Sequence, residues 1–395
     1  MIPRRWLVLA VLVFARIGVG FQFIAVAALM PSIKTALGLD YAEVGLLLGI
    51  FMFSGVFLSL PSGIIANWLG DRQGLWIGIA ALVSSSVLMA WSPSFSVALA
   101  GRLMGGLGAV FITVIASKIV IDWFTGREIA TAMSLLGVTW PIGLGLGMTL
   151  LPLFNGWAGW RVAILLTGTL PVMALLLTLT ISLTAPSDAT ETGGETAVES
   201  APRSLWNIGR KEFWVILTAS LAWPLMNGGG YVSFTSYAPL LLIERGATLE
   251  TATSIISLQS WFFVITIPIF GILADRTGRG DLMYWAGSLI AAGAIAMVPV
   301  GGPVLVWLLL ISLMGMTVGP IMALPGDVLS PRSRATGLGI YYTVYYLGLA
   351  VIPTTAGWLR EVTGSVPIVL WFSAACLAIS PLSLAAARWL QGRRA

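Results

Sequence analysis

Twelve runs of roughly 20 apolar residues follow one another along this chain, and they constrain its fold more than any single motif. They lie at about 6–31, 42–62, 74–92, 96–121, 130–153 and 161–184, then at about 213–242, 250–272, 283–300, 303–325, 335–357 and 365–388. A run of this length matches the hydrocarbon thickness of a bilayer, and in lipid each backbone N–H and C=O must be satisfied within its own segment. The runs therefore read as helices. A membrane β-barrel would show short alternating strands instead. Charged residues make up only 9% of the chain, against about 25% in a soluble domain, so the first partner is the lipid bilayer. The fold class is an all-α membrane protein with twelve transmembrane helices. The apolar run after Arg4 and Arg5 is too long for a signal peptide and reads as a retained first helix.

The chain repeats itself. Gly271-Ile-Leu-Ala-Asp275-Arg276-Thr-Gly278-Arg279 separates two apolar runs, and Gly63-Ile-Ile-Ala-Asn67-Trp68-Leu-Gly70-Asp71-Arg72 does the same 208 positions earlier. Gly20 and Pro31 likewise precede Gly228 and Pro239 by 208. Both stretches read as tight charged turns at the membrane surface, with glycines for the bend and charges to pair across helix ends. The domains are a six-helix half over 1–184, a linker over 185–212 and a second six-helix half over 213–395. The linker's Pro, Ser, Thr, Gly and Glu cannot bury a core. Two parallel halves about an axis along the membrane normal make a transporter architecture, with the substrate site between them near the midplane. Of the 21 Lys and Arg, 14 fall on the side of the termini and linker and 4 on the other. That bias predicts cytoplasmic termini. The remaining three, Arg16, Arg102 and Lys118, lie within spans.

These motifs resemble those of the major facilitator superfamily over essentially the whole length. The family's loop signature is matched closely by Gly271–Arg279 and loosely by Gly63–Arg72, where Asn67 and Trp68 replace the usual acid and base. Its span-4 pattern stands here as Arg102-Leu-Met-Gly-Gly106-Leu-Gly108, and a Gly- and Pro-rich span 5 as Gly137-Val-Thr-Trp140-Pro141-Ile-Gly143. The resemblance implies alternating access by a functional monomer in a bacterial inner membrane. It also implies gating or coupling roles for Asp71, Arg72, Arg102, Gly106, Gly271, Asp275, Arg276, Gly278 and Arg279. An arginine in span 1, the stretch Lys118 to Phe124 and Trp140-Pro141 resemble the cyanate-permease-like group, which implies uptake of a small anion.

Arg16 is the most informative single residue. It lies about ten residues into span 1, roughly 15 Å deep, where a charge faces the bundle interior or a water-filled cavity. Its planar fork suits a carboxylate or oxyanion; the structural alternative is a cation bonded to helix carbonyls. No Asp or Glu lies mid-span to neutralise it, so the substrate itself would supply the counter-anion. Neutral hydrogen bonders expected beside it are Gln22, Asn227, Tyr231, Gln259, Tyr341 and Tyr345, with Trp261 as an amphipathic neighbour. Arg102, about six residues into span 4, reads either as a buried coupling residue or as one reaching the interface. Lys118 and Asp122, at i and i+4, read as a local ion pair. The three glycines after Asn227 weaken the helix and allow a break that exposes backbone to a cavity. Pro141 is expected to kink span 5.

The reading is a secondary active transporter of a small, anionic solute. The rival is a proton-coupled exporter of drugs or metabolites, with Arg16 structural. Coupling to a proton or to a counter-anion stays open. The chain has no His and a single cysteine, Cys376, so no enzyme activity, cofactor or metal site is expected. The net charge of +5 is too small and dispersed for nucleic acid.

Overall fold

The computed structural model describes residues 3–126, 128–180 and 208–392. Arg127, Arg203, Arg393, Arg394 and the linker through residue 207 lie outside the described residues, as does the side chain of Asn67. The first half contains α1 (Arg4–Ala28), α2 (Tyr41–Leu69), α3 (Asp71–Ala90), α4 (Phe95–Phe124), α5 (Ile129–Ala158) and α6 (Trp160–Leu179). The second contains α7 (210–244), α8 (Leu249–Thr277), α9 (Gly280–Met297), α10 (Val304–Val328), α11 (Arg334–Thr363) and α12 (Val366–Gln391). Eleven of these are, among the described residues, long and apolar enough to cross a membrane. The twelfth, α7, is assembled from four consecutive pieces: Arg210–Ser220, Ala222–Pro224, Leu225–Ser233 and Phe234–Glu244.

Polar residues set the helix ends. Asp40 and Glu43 form a reciprocal capping box at the start of α2, and Thr248 caps α8 through the N–H of Thr251. Glu212 accepts from the N–H of Gly209, so α7 opens at Arg210 rather than at 213. Two expectations need correction here. The stretches Gly63–Arg72 and Gly271–Arg279 are mostly helical, because α2 runs to Leu69 and α8 to Thr277. Only Gly70 (φ 86°) and Gly278 (φ 63°) make the bends, in the left-handed region that favours glycine. In α7 the glycines do not lay backbone open to a cavity. Leu225–Ser233 is a π-helix, and Gly228, Gly229 and Gly230 are buried within it. Ser233 Oγ donates to Gly228 O at 2.7 Å, and Ser373 Oγ of α12 donates to Gly229 O. α5 is interrupted at Val138, three residues before Pro141.

The halves meet through closely packed glycines. A Cβ on Gly63 would sit 2.2 Å from Ala335 O, placing α2 backbone directly on α11. A Cβ on Gly271 would sit 2.2 Å from Ser134 Oγ and 3.0 Å from Ala130 O, placing α8 on α5. These contacts lie toward the face that carries the termini. Each half also braces two helix ends with one cation. Lys118 bonds Asp71 at 2.7 Å and Asp122 at 3.0 Å, whereas in the other half Arg388 of α12 bonds Asp281 and Asp327.

Candidate functional site

Between the halves lies a cavity of about 90 Å³, lined by residues of both, among them Arg16, Trp140, Trp223, Asn227, Tyr231 and Tyr345. It continues into a vestibule of about 880 Å³ that shares Met52, Trp140, Asn227, Tyr231, Tyr345 and Tyr346. The vestibule includes Gly45 and Gly49 near the start of α2 and Thr354 late in α11, so it opens toward the face opposite the termini. Arg16 projects from α1 into this space. Its Nη1 is buried and has no hydrogen-bond partner. Tyr345 and Tyr346 lie within its electrostatic reach. Tyr231 OH shares a hydrogen bond with Ser260 Oγ at 3.1 Å and its ring packs edge-on against Phe263.

Toward the termini the passage is closed. Arg334 of α11 donates to Asp122 of α4 at 2.5 Å across the halves, and Tyr342 and Ser117 share a hydroxyl contact of 2.6 Å. Asp275 of α8 accepts from the backbone N–H groups of Ala130 (3.0 Å) and Thr131 (2.6 Å) in the first turn of α5. A carboxylate there satisfies two otherwise orphaned donors and meets the positive end of the helix dipole. The closure is thus a cap donated from the opposite half.

Of the residues expected at the substrate, Arg16, Asn227, Tyr231 and Tyr345 line the cavity. Three do not, which corrects the reading. Gln22 is buried within the first half and donates to Leu82 O at 2.9 Å. Tyr341 is buried against α10, donating to Ile321 O at 2.7 Å. Gln259 is fully buried outside the cavity lining, with neither amide atom partnered. Trp261 is 60% exposed and is not among the residues lining the cavity; its ring end lies beside Gly145 of α5. Each sits on a helix with more than one interior face, and a sequence pattern does not separate a face toward a sister helix from one toward the cavity. Trp223, Thr113, Met226 and Phe263 were missed; the helical spacing Asn227–Trp223 would have raised Trp223.

The gating set divides similarly. Arg102 does not reach the interface: it is buried, donating to the carbonyls of Leu47 (2.9 Å), Gln22 (3.0 Å) and Phe23 (3.1 Å), with Phe51 beneath its guanidinium. Gly106 lets α4 touch α2, since a Cβ there would meet Ser54 Oγ at 2.0 Å. Arg72 stacks on Trp76 and points to Thr178 O inside its own half. Arg276 and Arg279 are exposed, so the expected pairing of turn charges is replaced by Asp275 on backbone N–H.

Comparison with known proteins agrees with this architecture. Residues 12–353 match the family model of the Major Facilitator Superfamily. A "Putative tartrate transporter" of Agrobacterium vitis is 26% identical over 93% of this chain and 85% of its own length. The fucose:proton symporter FucP of Escherichia coli superposes with a TM-score of 0.76 at 16% identity, covering 98% of this chain and 99% of that one. The human organic anion transporter MFSD10 superposes with a TM-score of 0.72 at 17% identity, covering 97% and 100%. These structural likenesses show the fold. This chain is a multi-pass membrane protein that belongs to the Major Facilitator Superfamily.

Proposed function

We propose that this protein is a secondary transporter that carries a small anionic solute across a bacterial inner membrane by alternating access. The observation that carries the reading is the unpartnered Nη1 of Arg16 in a cavity between the halves. A buried guanidinium N–H without an acceptor is costly, and a carboxylate or similar oxyanion would satisfy it bidentately. The described residues lining the cavity include no Asp or Glu that could take that place. The Agrobacterium relative, a putative tartrate transporter, supports an anionic solute as a class, without fixing its charge number or hydroxylation. For the rival, a proton-coupled drug or metabolite exporter, cationic substrates would bring like charge to Arg16, which counts against that part of it. The open vestibule and the closed termini side correspond to one end state of a rocking cycle. Positive-inside bias supports cytoplasmic termini and, on that reading, an outward-facing state, and the cavity is lined by residues of one chain, which supports a functional monomer.

The test is a thermal-shift screen of purified protein against small anions, with Arg16→Ala in parallel. A ligand that binds the native state raises Tm by mass action, so transport direction need not be known. An anion that stabilises wild type and leaves a folded Arg16→Ala unchanged supports the reading. Equal stabilisation of both proteins, or stabilisation by apolar cations alone, overturns it.

A further inference from the structure

We infer that the solute bears a single negative charge on an apolar body: a monocarboxylate with a hydrocarbon or aromatic frame, and not a hydroxylated dicarboxylate. The inference rests on the anion reading above and narrows it by counting charge. Among the described residues lining the cavity, Arg16 is the one charged side chain. One guanidinium neutralises one carboxylate. A second carboxylate on the same molecule would be held in a largely apolar space with no second cation, where an uncompensated charge is strongly disfavoured. The vestibule does not relieve this, because its described lining contains no Lys or Arg.

The rest of the wall selects against hydroxyls in the body. Besides Arg16, its polar complement is Thr113, Asn227, the indole N–H groups of Trp140 and Trp223 and three tyrosine hydroxyls, of which that of Tyr231 is already engaged by Ser260. Against these stand Trp140, Trp223, Phe263 and several methionines, including Met226 and Met322. Ring faces and thioethers accommodate apolar shapes, but they do not replace water around an alcohol. A polyhydroxylated acid would lose its hydration on entry and regain few hydrogen bonds.

The test uses the purified full-length protein and two matched pairs at about pH 7.5, where ordinary carboxylates are ionised. Benzoate and phthalate share a ring and differ by one carboxylate; butyrate and tartrate differ in charge and hydroxylation. Affinities are read from titrations of tryptophan fluorescence and from Tm. The expected result is that benzoate binds at least about tenfold more tightly than phthalate, and butyrate more tightly than tartrate, as follows from leaving one charge unpaired. Phthalate or tartrate binding as tightly as its monoanionic counterpart overturns the charge count and leaves the anion reading standing. Binding of none of the four overturns this inference, whereas the anion reading is decided separately by the anion screen with Arg16→Ala. The ranking is measured on wild type, so it holds even if an Arg16 variant fails to fold.

Discussion

Arg334 Nη1 donates to Asp122 Oδ1 at 2.5 Å, and this bond joins the two halves while Lys118 holds the other oxygen of the same carboxylate. Asp122 is therefore shared between bracing its own half and locking it to the other. A hydrogen bond to a charged group is worth about 1.5–3 kcal/mol, enough to move a two-state population about tenfold. Arg334→Ala is expected to open the termini side more often. The check is maleimide labelling of Ser117→Cys, a buried position beneath the lock. Labelling at least about tenfold faster in the Arg334→Ala background is expected; an unchanged rate refutes the lock.

The two close-packed glycines should not be equivalent. A methyl on Gly63 meets a backbone carbonyl at 2.2 Å, whereas a methyl on Gly271 meets the Ser134 hydroxyl at 2.2 Å and its Cβ at 2.5 Å, with backbone, Ala130 O, only at 3.0 Å. Gly63→Ala is expected to slow transport more than Gly271→Ala, with both variants biased against closure at the termini face. Initial uptake rates in proteoliposomes, compared at equal protein density, decide the order.

Arg102 acts as a three-way staple from α4 to α1 and α2. Arg102→Ala leaves a cavity and removes three charge-assisted bonds, an expected loss of about 2–4 kcal/mol. Arg102→Lys should recover less than half, because an ammonium cannot span three carbonyls in fork geometry. Detergent thermal melts of the three proteins give the comparison, and a lysine variant as stable as wild type would contradict the staple.

The wide turn of α7 leans on α12 through Gly229, where a methyl would lie 2.3 Å from Cys376 Cβ. Gly229→Ala is expected to cost about 1–3 kcal/mol through overpacking. Adding Cys376→Gly should return part of that loss, despite the helix penalty of a glycine, which is about 1 kcal/mol. A double variant no better than the sum of the singles would place the strain elsewhere.

Hydropathy made the helices legible because lipid imposes one rule on every span, but their ends were not, since α2 runs on to Leu69 and α8 continues through Asp275 and Arg276 to Thr277. The depth of Arg16 was visible from its position alone. The role of Asp275 was not, because its partners are backbone N–H groups 144 and 145 residues away, which no side-chain pattern marks. Gln22 and Tyr341 illustrate the same limit from inside the membrane. A polar residue there can donate to a carbonyl of a sister helix, as both do, without reaching the transport path.

The π-helix of α7 has a geometric consequence for the duplicated halves. A π turn holds one residue more than an α turn. Gly20 and Gly228 correspond at 208, so upstream of the wide turn the correspondence falls to 207, which matches Arg16 with Trp223. Both face the cavity. On the proposed reading, a bound solute would therefore have a defined head and tail, its charge held at Arg16 of the first half and its body against rings such as Trp223 of the second.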